Sequence, residues 1–255
     1  LNLSTRGIVS RGDDVLINGF IIAGNGPKTV LLRALGPSLA GFGVSGALPD
    51  PGLSLYNSSG SLIATNDNWQ TDRGSAYMAQ NGFAPTNPAE SATLQTLMPG
   101  AYTAVVRGRN GSEGVSLAEI YDLSPVSSSK LKNMSTRGSV GTGDNVLITG
   151  FIVGDVGSAT VVVRVLGPSL AAFGVSRPLS DPVLTIYDSK GSAIVTNDNW
   201  HDNVNWVDVQ KNGLAPPDAL ESAIVLHLPA GAYTAVVRGA NGATGNALVE
   251  VYHLQ

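Results

Sequence analysis

Cysteine is absent from the 255 residues. Disulfides, thiolate metal sites and thiol nucleophiles are therefore excluded. Charge is scarce: 13% of residues are Asp, Glu, Lys or Arg, against about 25% in an average soluble protein. Gly, Ser, Thr and Asn must cover much of the surface. The net charge of −4 and the lack of Lys/Arg clusters argue against nucleic acid as a partner. Apolar runs stop well short of the roughly 18 residues a membrane helix needs, so no membrane span is expected. The HExxH, GxSxG, P-loop and GxGxxG patterns are missing. The first residue is Leu, and a leader or upstream region is expected to have preceded it.

What is present is written twice. "LSTRG" at Leu3–Gly7 returns as "MSTRG" at Met134–Gly138. "LGPSLAGFGVS" from Leu35 returns as "LGPSLAAFGVS" from Leu166, and "GAYTAVVRG" occurs at Gly100 and Gly231. One ungapped offset of 134 − 3 = 131 positions relates all these pairs. Roughly half the paired positions are identical, which implies two copies of one fold. The expected boundaries are residues 1–123 for the first repeat, 124–131 for a Pro/Ser linker and 132–255 for the second.

The local pattern is extended chain. "DVLINGFIIA" (Asp14–Ala23) and "KTVLLRAL" (Lys28–Leu35) flank a "GNGP" turn, and "LSLYN" and "SLIATN" flank "SSG" as a hairpin. "SATLQTL", "AYTAVVRG" and "VSLAEIYDL" complete each copy. Such spacing predicts an all-β chain: two tandem antiparallel β-sandwich domains of jelly-roll or immunoglobulin-like type. A short helical turn is expected after Pro37, and another over Ala76–Asn81 and its counterpart Val207–Asn212.

The second half of each copy resembles a known family. "LYNSSGSLIATND…ESATLQTLMPGAYTAVVRG", and more closely "IYDSKGSAIVTNDNW" with "HLPAGAYTAVV", are similar to the bacterial pre-peptidase C-terminal (PPC) domain over about 70 residues of each copy. The "STRG…LGPSL" portion lies outside it. The resemblance implies a secreted accessory β-sandwich with adhesive or matrix-binding roles in some members, and it implies no catalysis.

An activity shared by both copies is not carried by histidine. His201, His227 and His253 all sit in the second copy, where the first has Gln70, Thr96 and Asp122. Ser38 and Ser169 in "GPSL" lack a nucleophile elbow. Strand alternation puts Glu119 on an apolar face, where a lone carboxylate is costly. Structural ion pairs are therefore expected among Arg33, Arg107, Glu90 and Glu119, and among their counterparts Arg164, Arg238, Glu221 and Glu250.

The duplicated "TNDNW" loop is read first as a turn closed by its tryptophan. As a ligand site it offers Asp67, Asn68 and Trp69, with Asp198, Asn199 and Trp200 in the second copy. The tryptophans would stack on sugar rings. Calcium is the alternative, with Asp50, Asp67, Asp181 and Asp198 as weak carboxylate candidates; no other metal or cofactor is expected. The "RGD" at Arg11–Asp13 becomes Thr142-Gly143-Asp144 in the second copy, so a turn explains the shared Gly-Asp. The sequons at Asn2, Asn57, Asn110 and Asn133 mean little in a bacterial protein.

The expected function is a non-catalytic structural or adhesive repeat on a bacterial surface or outside the cell. Its partners would be other copies, other surface proteins or polysaccharide, and it could build a stalk or filament. Strand Leu3–Val9 would then pair with a sheet edge of the next subunit. The alternative is a carbohydrate-binding accessory module of a secreted enzyme.

Overall fold

A computed structural model describes residues 2–124 and 128–254 and gives no side-chain placement at 155–156. The chain is all-β, with 52% of residues in strands. It divides into two compact units, Leu1–Lys132 and Asn133–Gln255.

In the first unit the strands are β1 (Leu3–Val9), β2 (Leu16–Ala23), β3 (Lys28–Leu35), β4 (Pro51–Asn57), β5 (Leu62–Asn66), β6 (Ser91–Leu97), β7 (Gly100–Gly108) and β8 (Gly114–Asp122). Every pairing among them is antiparallel. β8 lies between β1 and β3, and β6 flanks β3 on its other side. A second ladder runs β2-β7-β4-β5. Side chains alternate between buried and partly exposed along β1, as the two-residue period of a sheet with one covered face requires. Leu16, Phe20, Ile22, Leu32, Leu53 and Ile120 are fully buried. Phe20 stacks on Tyr102 with ring centroids 5.4 Å apart.

The second unit repeats this order with fewer breaks. Its strands are β9 (Lys130–Val140), β10 (Leu147–Leu166), β11 (Pro182–Tyr187), β12 (Ala193–Asn197), β13 (Ser222–Gly239) and β14 (Gly245–Leu254). β10 and β13 each do the work of two strands in the first unit. Their pairing shifts register between Val153 and Ser158. The first half of β10 pairs with the second half of β13, which also carries β11 and β12. The second half of β10 lies beside β14, and β14 beside β9. The difference has a local cause. Pro27 offers no N–H to a ladder, so the first copy breaks there, whereas Ser158 stands at that place in the second.

The helical expectations fall on α1 (Ser75–Gln80) and α2 (Trp206–Lys211), with 3-10 turns at Pro37–Phe42 and Pro168–Phe173. The linker differs from expectation. Pro125–Ser127 lie outside the described residues. On either side of them the chain is tied to the first unit: Lys28 Nζ donates to the carbonyls of Ser124 (3.0 Å) and Ser129 (2.8 Å) and pairs with Asp122 at 2.9 Å. Lys28 is 1% exposed. Three acceptors at hydrogen-bond distance are what make a buried ammonium tolerable.

The terminal strand is also corrected. Leu3–Val9 is hydrogen-bonded to β8 of its own unit, from Leu3↔Ile120 to Val9↔Gly114. That edge of β1 is occupied within its own unit.

Candidate functional site

The densest polar chemistry in each unit is a buried carboxylate under the "LGPSL" loop. Glu90 is 0% exposed. Its Oε1 accepts the N–H of Gly36 (2.9 Å), the N–H of Ser38 (2.9 Å) and the Ser38 hydroxyl (2.6 Å). Its Oε2 accepts the N–H of Asn87 at 3.4 Å. Glu221 repeats the arrangement with Gly167 (2.8 Å), Ser169 N–H (3.0 Å), Ser169 Oγ (2.6 Å) and Asp218 (3.2 Å). Glycine is required at the loop's start: a Cβ on Gly36 would come within 2.0 Å of the Leu48 carbonyl oxygen, and one on Gly167 within 2.2 Å of the Leu179 oxygen. Ser38 thus donates to a carboxylate oxygen that the N–H groups of Gly36 and Ser38 also hold.

Expected ion pairs at Glu90 and Glu221 are corrected accordingly. Backbone donors satisfy both carboxylates, because the loop brings N–H groups where no arginine reaches. Arg107 and Arg238 are exposed and form no ion pair among the described residues.

The other pairs form. Arg33 contacts Glu119 at 2.6 Å, donates from Nη1 to the Phe83 carbonyl (2.8 Å) and from Nη2 to the Tyr121 hydroxyl (3.0 Å). Tyr121 in turn donates to Glu119 Oε1 at 2.7 Å. Arg164, Glu250, Leu214 and Tyr252 reproduce this set, with the ion pair at 2.5 Å. Burial, followed by the neighbouring carboxylate, pushes Tyr121 and Tyr252 up to about 12. The four groups of each network satisfy one another on the sheet surface.

The "TNDNW" loop is built by its first asparagine. Asn66 donates to the Asn68 carbonyl (3.0 Å) and accepts the Ala92 N–H (3.0 Å); Asn197 does the same with Asn199 (2.8 Å) and Ala223 (2.9 Å). Trp69 packs against the cluster of Leu31, Met78 and Ala92. Trp200 packs against Val209 and Ala223 at 6% exposure. The stacking role expected of the second tryptophan is corrected: Trp200 is core and offers no open face to a sugar, whereas Trp69 is half-buried against its cluster. Asp67 is held by Arg109 at 3.0 Å, and Asn68 donates to it. Asn199 donates to Asp202 at 3.0 Å.

Of the calcium candidates, Asp181 and Asp198 lie close enough for the charge of one to act on the other. Among the described residues no group of three or more metal-ligating side chains occurs. Ala240 stands where the first copy has Arg109. Burial, then the charge of Asp198, raises Asp181 above the usual carboxylate range. Arg11 of the "RGD" pairs with Glu113 at 2.9 Å. His227 contacts the hydroxyls of Ser158 and Thr160 at 2.9 and 3.1 Å on the surface.

Sequence reasoning missed the Glu90 clasp and the Lys28 tie. The exact return of "LGPSL" and "ESA" was the available signal for the clasp, since both halves of a contact recur together.

No family model matches the chain, and no curated protein does. Among solved structures, the chain is similar to one described as "Life in the extremes: atomic structure of Sulfolobus Turreted Icosahedral Virus", at 9% identity and a TM-score of 0.26, over 99% of this chain and 88% of that one. A likeness of that strength carries no argument about this protein.

Proposed function

We propose that the chain is a tandem pair of antiparallel β-sandwich modules of jelly-roll type, with a non-catalytic structural or adhesive role outside a bacterial cell. The strand orders β1-β8-β3-β6 and β2-β7-β4-β5 support the jelly-roll reading. One observation carries the functional reading. Phe42 is 84% exposed and Phe173, its counterpart, is 79% exposed. A phenylalanine so placed loses free energy to water, and two copies that differ at roughly half their positions both keep it.

Self-association through these two rings is the role proposed. Sparse surface charge supports it, because weakly charged surfaces repel one another little. Sedimentation of the full chain, with electron microscopy, tests it: the wild type forms dimers or longer assemblies, and F42S/F173S is monomeric. A wild type that stays monomeric at millimolar concentration overturns the proposal.

A further inference from the structure

The outer face of the β10–β13–β11 sheet holds a groove of about 520 Å³, within the 300–1,000 Å³ usual for ligand sites. Its origin lies in the register. Gly150, Thr234 and Tyr187 form one cross-strand row, and Ile148, Val236 and Thr185 form the next. Gly150 adds no side chain to that face, and Ile148, Tyr187, Thr234 and Val236 line the groove.

The groove is written into both copies. Its nine lining positions each have a counterpart 131 residues upstream, and only Asp188 differs, replacing Asn57. Gly150 has the matching Gly19. Roughly half of all paired positions have drifted apart, so near-identity on an outward face asks for a cause other than core packing. The one difference is informative. Asp188 Oδ1 accepts the N–H groups of Lys190 (2.8 Å) and Ser192 (2.9 Å), and Asn57 Oδ1 accepts those of Ser59 (3.0 Å) and Ser61 (2.9 Å). Both residues serve the hairpin turn, and the negative charge is dispensable.

What persists is positive and polar: Arg238 and Arg107, exposed and without an ion-pair partner among the described residues, beside Tyr187 or Tyr56 and Thr234 or Thr103. β13 is flanked on both sides, so its backbone groups are used in the ladders. Recognition must come from side chains, and an added peptide strand finds no ladder to join. A guanidinium fork, an aromatic face and hydroxyls above an apolar floor match a sugar ring that carries a carboxylate.

We infer that this groove, once in each unit, binds an acidic saccharide, with Arg238 and Arg107 pairing to the carboxylate and Tyr187 and Tyr56 against the ring. The inference supplies a ligand class for the adhesive reading but does not require self-association.

Calorimetric titration of the full chain with tri-galacturonate, maltotriose and a glutamate-rich hexapeptide tests it. Tri-galacturonate is expected to bind at least tenfold more tightly than either comparison probe, and more weakly as salt is raised. R107A/R238A is expected to weaken it about tenfold with an unchanged melting temperature, since both side chains are exposed. F42S/F173S leaves it unaltered, so failure of self-association and failure of the groove are read separately. No heat at about 10 mM tri-galacturonate, equal binding of maltotriose, tighter binding of the peptide, or indifference to the arginine variant each overturns the inference.

Discussion

Ser38 donates its hydroxyl to the buried Glu90 carboxylate across 2.6 Å. The bond closes the "LGPSL" loop over the start of β6, and its partner from Ser169 to Glu221 has the same length. Removing the carboxylate leaves the buried Gly36 N–H and the part-buried Ser38 N–H without their acceptor. E90A is expected to lower the stability of the first unit by about 3 kcal/mol, and E90Q, which keeps the Oε1 acceptor, by about 1 kcal/mol. Urea denaturation followed by tryptophan fluorescence measures both.

The Arg33–Glu119 pair sits in a half-dry environment, where a lone survivor is worse than none. E119A is expected to cost about 3 kcal/mol. R33M/E119L is expected to recover most of that, because replacing both charges removes the stranded ion along with the pair. A double-mutant cycle by chemical denaturation gives the coupling.

Tyr121 and Tyr252 each have a folded pKa of about 12 against an ordinary 10.0. A raised pKa means the native state holds its proton more tightly than the unfolded chain does. The contribution is complete below pH 10 and is lost as pH rises toward 12. Tyrosinate absorbance is expected to show two late-titrating groups, and Y121F/Y252F is expected to flatten the loss of stability across that window.

Asp181 shifts in the same direction, but its window lies in the acid range. Burial and Asp198 raise its pKa, so the group favours the native state in acid and weighs against it once ionised at neutral pH. D181N is expected to raise the melting temperature of the second unit at neutral pH. A240R, which restores the Arg109–Asp67 geometry of the first copy beside Asp198, is expected to stabilise it by about 0.5 kcal/mol. Melting with and without EDTA checks calcium in the same series: no shift is expected.

Lys28 holds the chain on both sides of residues 125–127. K28M leaves Asp122 and two carbonyls without their cation and is expected to destabilise the first unit by about 2–3 kcal/mol. Limited proteolysis is expected to cut the variant near Ser128 faster than the wild type.

Much of the fold was legible because strands announce themselves locally. The alternation in "LSTRGIV" and the turn residues between runs are properties of neighbours, and the 131-residue repeat needs no structure to be seen. The two short helices after "NDNW" were legible for the same reason. The boundary near residue 124 was not, because a Ser-rich stretch reads as a tether until a buried lysine nearly 100 residues away is seen to grip it.

The sequence by itself determined that this chain is β-built, duplicated and poor in charge, since periodicity, turn chemistry and composition act over a few residues. Only the tertiary structure decided which partner each polar group meets. Glu90 takes backbone N–H groups from a loop 54 positions away, Glu119 takes Arg33, and Trp200 turns inward. It also decided that Gly150, Tyr187 and Arg238 share one open face. Those outcomes depend on strand register and on how loops cross the ends of the sheets, and a shift of one residue would send every such side chain to the other side.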